Sequence, residues 1–138
     1  MSTKWNNADL VFRQVHPHYW DGTNPNSQAF FPTPKDEDKL SVDDASVVTA
    51  EASWKHFTTN LGLASVGTWA VSFEEIESAH DLELTKNPVV DPNDATKNNP
   101  AHCLINFGKL TTKGQKKKRA QHLAIKASAR GRQFTPPA

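Results

Sequence analysis

The pattern of apolar and polar positions first reads as regular structure at Leu10-Val11-Phe12-Arg13-Gln14-Val15-His16, a run rich in strand formers. It stops at Pro17, which has no N–H to give a ladder. Period two puts Val11, Arg13 and Val15 on one face and Leu10, Phe12, Gln14 and His16 on the other. Neither face is purely polar, so burial on both sides is expected. A second strand is predicted over residues 64–71, with Val66, Thr68 and Ala70 opposed to Gly67, Trp69 and Val71, and a central place in a sheet. A third covers residues 102–107 and is stopped by Gly108.

Helical spacing governs three other stretches. Residues 49–58 open on Thr49 as N-cap, end near Gly62 as a left-handed terminator, and repeat Trp54, Phe57 and Leu61 on what reads as an aromatic core face. Ser72-Phe73-Glu74-Glu75 matches a capping box and starts a short helix to about Ala79. The last helix is expected over residues 112–130, with Gly131 just past its end. There Ala120, Leu123, Ala124 and Ala127 form an apolar stripe, with Arg119, Lys126 and Arg130 in a narrow sector beside it.

Two long stretches lack periodicity. Between Pro17 and Val42 lie Pro25, Pro32 and Pro34, the turn formers Asp21-Gly22 and Asn24-Pro25-Asn26, and the charged run Lys35-Asp36-Glu37-Asp38-Lys39. A short extended piece at residues 28–31 is the one regular element expected in it, and Tyr19, Trp20, Phe30 and Phe31 supply apolar surface to pin it to the core. Residues 85–100 form the second such loop, rich in proline and asparagine. The element order predicts a small single α+β domain: a three- to four-stranded sheet packed by about three helices, with two long proline/asparagine-rich loops. The domain is placed at residues 9–132, between a flexible N-terminus (1–8) and a flexible C-terminal tail (133–138).

Composition agrees with that reading. A chain of 138 residues suits one core, while an apolar fraction of 36% and 9 prolines leave much of it as loop. No apolar run approaches the roughly 20 residues of a membrane span, and Met1-Ser2-Thr3-Lys4-Trp5-Asn6-Asn7 holds no apolar signal region, so a cytoplasmic protein without membrane association is expected. Cys103 is the single cysteine, which excludes an internal disulfide and argues against a cysteine-rich zinc site.

Charge changes the picture more. Residues 1–94 carry 6 basic and 15 acidic side chains, a formal charge of −9, whereas residues 95–138 carry 10 basic and no acidic ones. Such a split arises when one end grips an anion or when the two halves neutralise each other on folding. Lys113, Lys116, Lys117, Lys118 and Arg119, followed by Lys126, Arg130 and Arg132, are the candidate anion- or partner-binding residues. Phosphates of nucleic acid and carboxylates of a protein both satisfy such a face, so the partner is either an acidic protein or nucleic acid. The expected function is a small accessory or interaction protein that binds through this basic helix without catalysis of its own.

A competing reading is a small transferase or hydrolase on a nucleotide-like, ADP-ribosyl-type substrate. Arg13 would clamp an anion and His16 or His18 would carry a proton, while Ser27, Asp36 and Ser41 would position the substrate. His16-Pro17-His18 with His102-Cys103 is a poor metal set, because Pro17 restricts the first pair and the second points to opposite faces of a strand, so no metal is expected. Cys103 in its apolar context reads as a buried inert thiol. No Gly-rich phosphate loop, GxSxG or HExxH is present, and no cofactor is indicated.

Overall fold

The computed structural model describes residues 5–32 and 37–137. Its strands are β1 (Leu10–Gln14), β2 (Lys39–Asp44), β3 (Thr68–Ser72), β4 (Glu83–Lys86) and β5 (His102–Asn106), and its helices α1 (Ala50–Lys55), α2 (Phe73–Ser78) and α3 (Lys113–Arg130). The strands form one antiparallel sheet in the order β3-β1-β2-β5-β4. The α+β class therefore holds, with five strands in place of three or four. No helix among the described residues is long and apolar enough to cross a membrane.

The two unforeseen strands carry little apolar pattern of their own. In β2 only Leu40 and Val42 are apolar, alternating with Ser41 and Asp43 beside a charged run that reads as loop. Pairing with β5 from Lys39↔Asn106 to Asp43↔His102 is what holds it. Strand β4 buries Leu84 alone. The piece expected to be extended at residues 28–31 is instead mostly a 3-10 turn, Ser27–Phe30, which is capped by the Asn26 side chain and places the buried Phe30 toward α3.

Strand β3 lies at the sheet edge, not its centre, yet all five residues are buried. Each side of it is covered by something else. Thr68 Oγ1 donates to Ala50 O on α1 (3.0 Å), α3 packs on the opposite face, and the outer edge is closed by Gln133 N–H to Thr68 O (2.7 Å) and Thr68 N–H to Phe134 O (3.2 Å). Residues 133 and 134, expected in the tail, thus bond the edge strand. Gly67 makes this approach feasible, since a Cβ at its φ of +148° would lie 2.7 Å from Phe134 O.

Helix α3 follows its sequence pattern closely. Thr112 and Gln115 form a reciprocal capping box, Gly131 at φ +91° ends the helix, and Ala120, Leu123, Ala124 and Ala127 are the buried residues. Only Leu123 of these four adds the ~1.5–3 kcal/mol of a large buried side chain, so hydrophobic docking of α3 is modest. Trp69, Phe30, Phe107, Ile76 and Ile105 are the largest fully buried side chains of the core cluster to which the α3 stripe belongs. Helix α2 begins at the expected capping box, with Ser72 and Glu75 bonded reciprocally.

Helix α1 departs from expectation in what it buries. Its buried residue is Ser53, while Trp54 and Phe57 are half-buried and Leu61 is 40% exposed. The sheet face beneath it is polar, presenting Gln14, Asp43 and Thr68, so the helix docks by hydrogen bonds and leaves its aromatic stripe to one side. After Lys55 the helix widens into a π turn, His56–Asn60, and Gly62 turns the chain at φ +69°.

Candidate functional site

The basic helix separates its cations into two groups. Three of those flanking the buried stripe, Lys116, Arg119 and Arg130, are met by carboxylates from the acidic part of the chain. Lys116 Nζ lies 2.8 Å from Asp38 Oδ1, and Arg119 Nη2 is 3.5 Å from Asp81 Oδ2. Arg130 forks onto Glu75, with Nη1–Oε1 at 2.6 Å and Nη2–Oε2 at 3.3 Å. Asp38 and Asp81 both sit at positive φ (64° each), in turns that aim their carboxylates at α3. Aspartate tolerates this left-handed region better than most side chains. Arg132 is also engaged: Nη1 donates to Val66 O at 3.0 Å, and the guanidinium lies 5.6 Å from the ring centres of both Trp20 and Trp69.

Lys113, Lys117 and Lys118 are exposed and make no ion pair among the described residues, Lys113 lining a shallow hollow with Lys116 and Asp38. Lys126 is half-buried and likewise has no ion pair there. Ile125, 59% exposed, lies two turns on from Lys118 on the same side of the helix. No acidic side chain occupies the first turn of α3. Cations at this positive end of the helix dipole cost ~0.3–1 kcal/mol each, a cost that Asp38 offsets for Lys116.

A second arrangement lies where β1 and β2 part. These strands pair only at Val11↔Asp44 and Phe12↔Asp43 before diverging. Arg13 bridges the opening, its Nε donating to Ala29 O (2.8 Å) and Nη1 to Ser41 O (3.0 Å). Two hollows meet there, of about 180 and 240 Å³, sharing Arg13, Gln14, Phe57 and Leu63.

Under α1 the first hollow is floored by a hydrogen-bond network. Gln14 Nε2 donates to Ser53 Oγ (3.0 Å) and Thr68 Oγ1 (2.9 Å), while Ser53 Oγ donates to Asp43 Oδ2 (2.7 Å) and Asn99 Nδ2 to Asp43 Oδ1 (2.8 Å). At the rim, His102 Nδ1 is 2.7 Å from Asn87 O, and its Nε2 is 3.1 Å from Ser41 Oγ.

The residues expected to form a catalytic set are thus divided. Arg13 and Ser41 line the first hollow, Arg13 and His16 the second. His16 accepts the His18 N–H at Nδ1 (3.0 Å), and the exposed His18 ring lies 4.6 Å from that of His16. Ser27 opens the 3-10 turn and lines neither hollow, and Asp36 lies outside the described residues. Sequence reasoning overlooked His102 as a partner of Ser41; period two along β5 puts it opposite the buried Cys103, but the face it meets depends on β2.

Among the described residues no three His, Cys, Asp or Glu side chains gather to hold a metal. The Cys103 thiol is pushed up to about 12, by burial first and then by the nearby Asp44 and Asp43 carboxylates, so it is a poor nucleophile or ligand. Comparison with protein-family models, curated proteins and solved structures finds no match.

Proposed function

We propose that this protein is a binding module that engages an acidic protein surface through the exposed lysines of α3. The observation that supports this reading is the division of the cations. Lys116, Arg119 and Arg130 are neutralised by Asp38, Asp81 and Glu75, whereas Lys113, Lys117 and Lys118 have no ion pair among the described residues. The opposite charges of the two chain segments therefore dock the helix and leave a lysine surface over.

Two features favour an acidic protein over nucleic acid. All three arginines of the segment, the residues best suited to forking onto phosphate, are engaged by the protein itself. Ile125 adds an exposed apolar side chain to the lysine face, as protein interfaces commonly do and phosphate-tracking surfaces do not need.

The test is a triple replacement, Lys113→Gln, Lys117→Gln and Lys118→Gln, with binding to poly-glutamate and to single-stranded RNA read by fluorescence anisotropy over a salt series. Poly-glutamate affinity should exceed RNA affinity, fall steeply with salt and be lost in the triple variant. Tighter RNA binding would transfer the reading to nucleic acid. Unchanged binding by the folded triple variant would refute the role of this face.

A further inference from the structure

The hollow under α1 holds chemistry that the basic helix does not use. Alternation along β2 sends Leu40 and Val42 into the core and Ser41 and Asp43 to the opposite face. Pairing with β5 sets His102 across from Asp43, and hence diagonal to Ser41. Asn87 then fixes the imidazole. Its N–H donates to His102 O (2.9 Å) while its carbonyl lies 2.7 Å from His102 Nδ1.

A carbonyl can only accept, so in the neutral ring this contact assigns the proton to Nδ1 and leaves the Nε2 lone pair facing Ser41 Oγ at 3.1 Å. Hydroxyl, base and a group that orients the base are therefore in line, which is the geometry of an activated serine. Arg13 steadies the same residue from behind through the Ser41 carbonyl. Phe12, Phe57, Leu61 and Leu63 give the hollow apolar walls, and its volume of about 180 Å³ admits a group of on the order of six water volumes. Asp43 in the floor makes no ion pair among the described residues, which disfavours an anionic acyl chain.

We propose that Ser41 and His102 are the nucleophile and general base of a second, hydrolytic site for esters of small uncharged acyl groups. Ser41 Oγ attacks the ester carbonyl carbon as its proton passes to His102 Nε2. The bond to the leaving alcohol breaks, and that alcohol takes the proton from His102. Water then attacks the acyl–Ser41 ester, giving up a proton to His102. The carboxylic acid leaves as Ser41 oxygen recovers that proton.

The experiment pairs a fluorophosphonate probe, with the labelled peptide located by mass spectrometry, with hydrolysis of p-nitrophenyl acetate and p-nitrophenyl decanoate. Labelling is expected at Ser41, lost in Ser41→Ala and slowed in His102→Gln. Acetate hydrolysis should fall roughly a hundredfold in each variant, and the decanoate should be the poorer substrate. Circular dichroism establishes that both variants are folded; because the Ser41 side chain is exposed, Ser41→Ala removes one surface hydroxyl. Labelling elsewhere, or hydrolysis equal in wild type and Ser41→Ala, overturns the proposal, as does absence of both label and turnover. The Lys113, Lys117, Lys118 triple variant should retain full hydrolysis, so this site and the basic face fail or survive separately.

Discussion

Glu75 and Arg130 offer the sharpest test of charge-assisted docking, because they join the capping box of α2 to the last turn of α3. Glu75 Oε1 accepts the Ser72 N–H (2.8 Å) and Arg130 Nη1 (2.6 Å), and Arg130 Nη1 also reaches Ala70 O at 3.2 Å. Burial works to raise the pKa of the carboxyl, but the Arg130 guanidinium and the Ser72 N–H outweigh it and hold it below the ordinary value. Replacing Glu75 with Gln keeps an oxygen for Ser72 and removes the charge. A charge-assisted bond is worth ~1.5–3 kcal/mol in a closed setting. With side chains 19% and 28% exposed, screening reduces this to about 1 kcal/mol.

Glu75→Ala also loses the cap acceptor, about 1 kcal/mol more. Thermal unfolding should show a fall of roughly 3–5 °C for the Gln variant and about twice that for Ala. A carboxyl whose folded pKa is depressed contributes fully above its unfolded pKa, and the contribution is lost as pH falls through the folded value. The gap between wild type and Glu75→Gln should therefore be full at neutral pH and close as the solution is acidified through the carboxylate range. The reasoning is refuted if that gap persists unchanged in acid, or if Glu75→Gln and Arg130→Met are additive within about 0.3 kcal/mol in a double-mutant cycle.

Two other predictions concern the sheet. Ser53→Ala strips a partner from Asp43 Oδ2 and from Gln14 Nε2 in one step, so denaturant unfolding should register a loss of about 1–3 kcal/mol, and a loss below about 0.5 kcal/mol would mean the network is not closed as described. Cys103, buried with its thiol raised to about 12, should react with Ellman's reagent only as the protein unfolds; rapid labelling of the native protein would contradict its placement in the core.

What was legible in the chain was local. The β1 alternation, the Ser72–Glu75 box and the α3 stripe depend on neighbours within about four residues, and each stands where the pattern placed it. The aromatic repeat of α1 misled because helical spacing says which side chains share a face, not whether the surface opposite is apolar; here it is Gln14, Asp43 and Thr68. The candidate site was legible in part for the same reason. Arg13 and Ser41 carried the right chemistry, but His102 stands 61 residues from Ser41, and only β2–β5 pairing brings them together.

By itself, then, the sequence determined the α+β class, the long C-terminal helix with its buried face, and a −9 segment followed by a +10 one. The tertiary structure decided that β2 and β4 are strands, that β3 is an edge, and which cations of α3 pair with carboxylates of the same chain. Two apolar side chains in β2 and one in β4 are too few to signal a strand, since their stability comes from ladders with a distant β5. Charge acts without regard to chain order, so only folding shows that Asp38, Asp81 and Glu75 claim Lys116, Arg119 and Arg130, and that Lys113, Lys117 and Lys118 stay exposed.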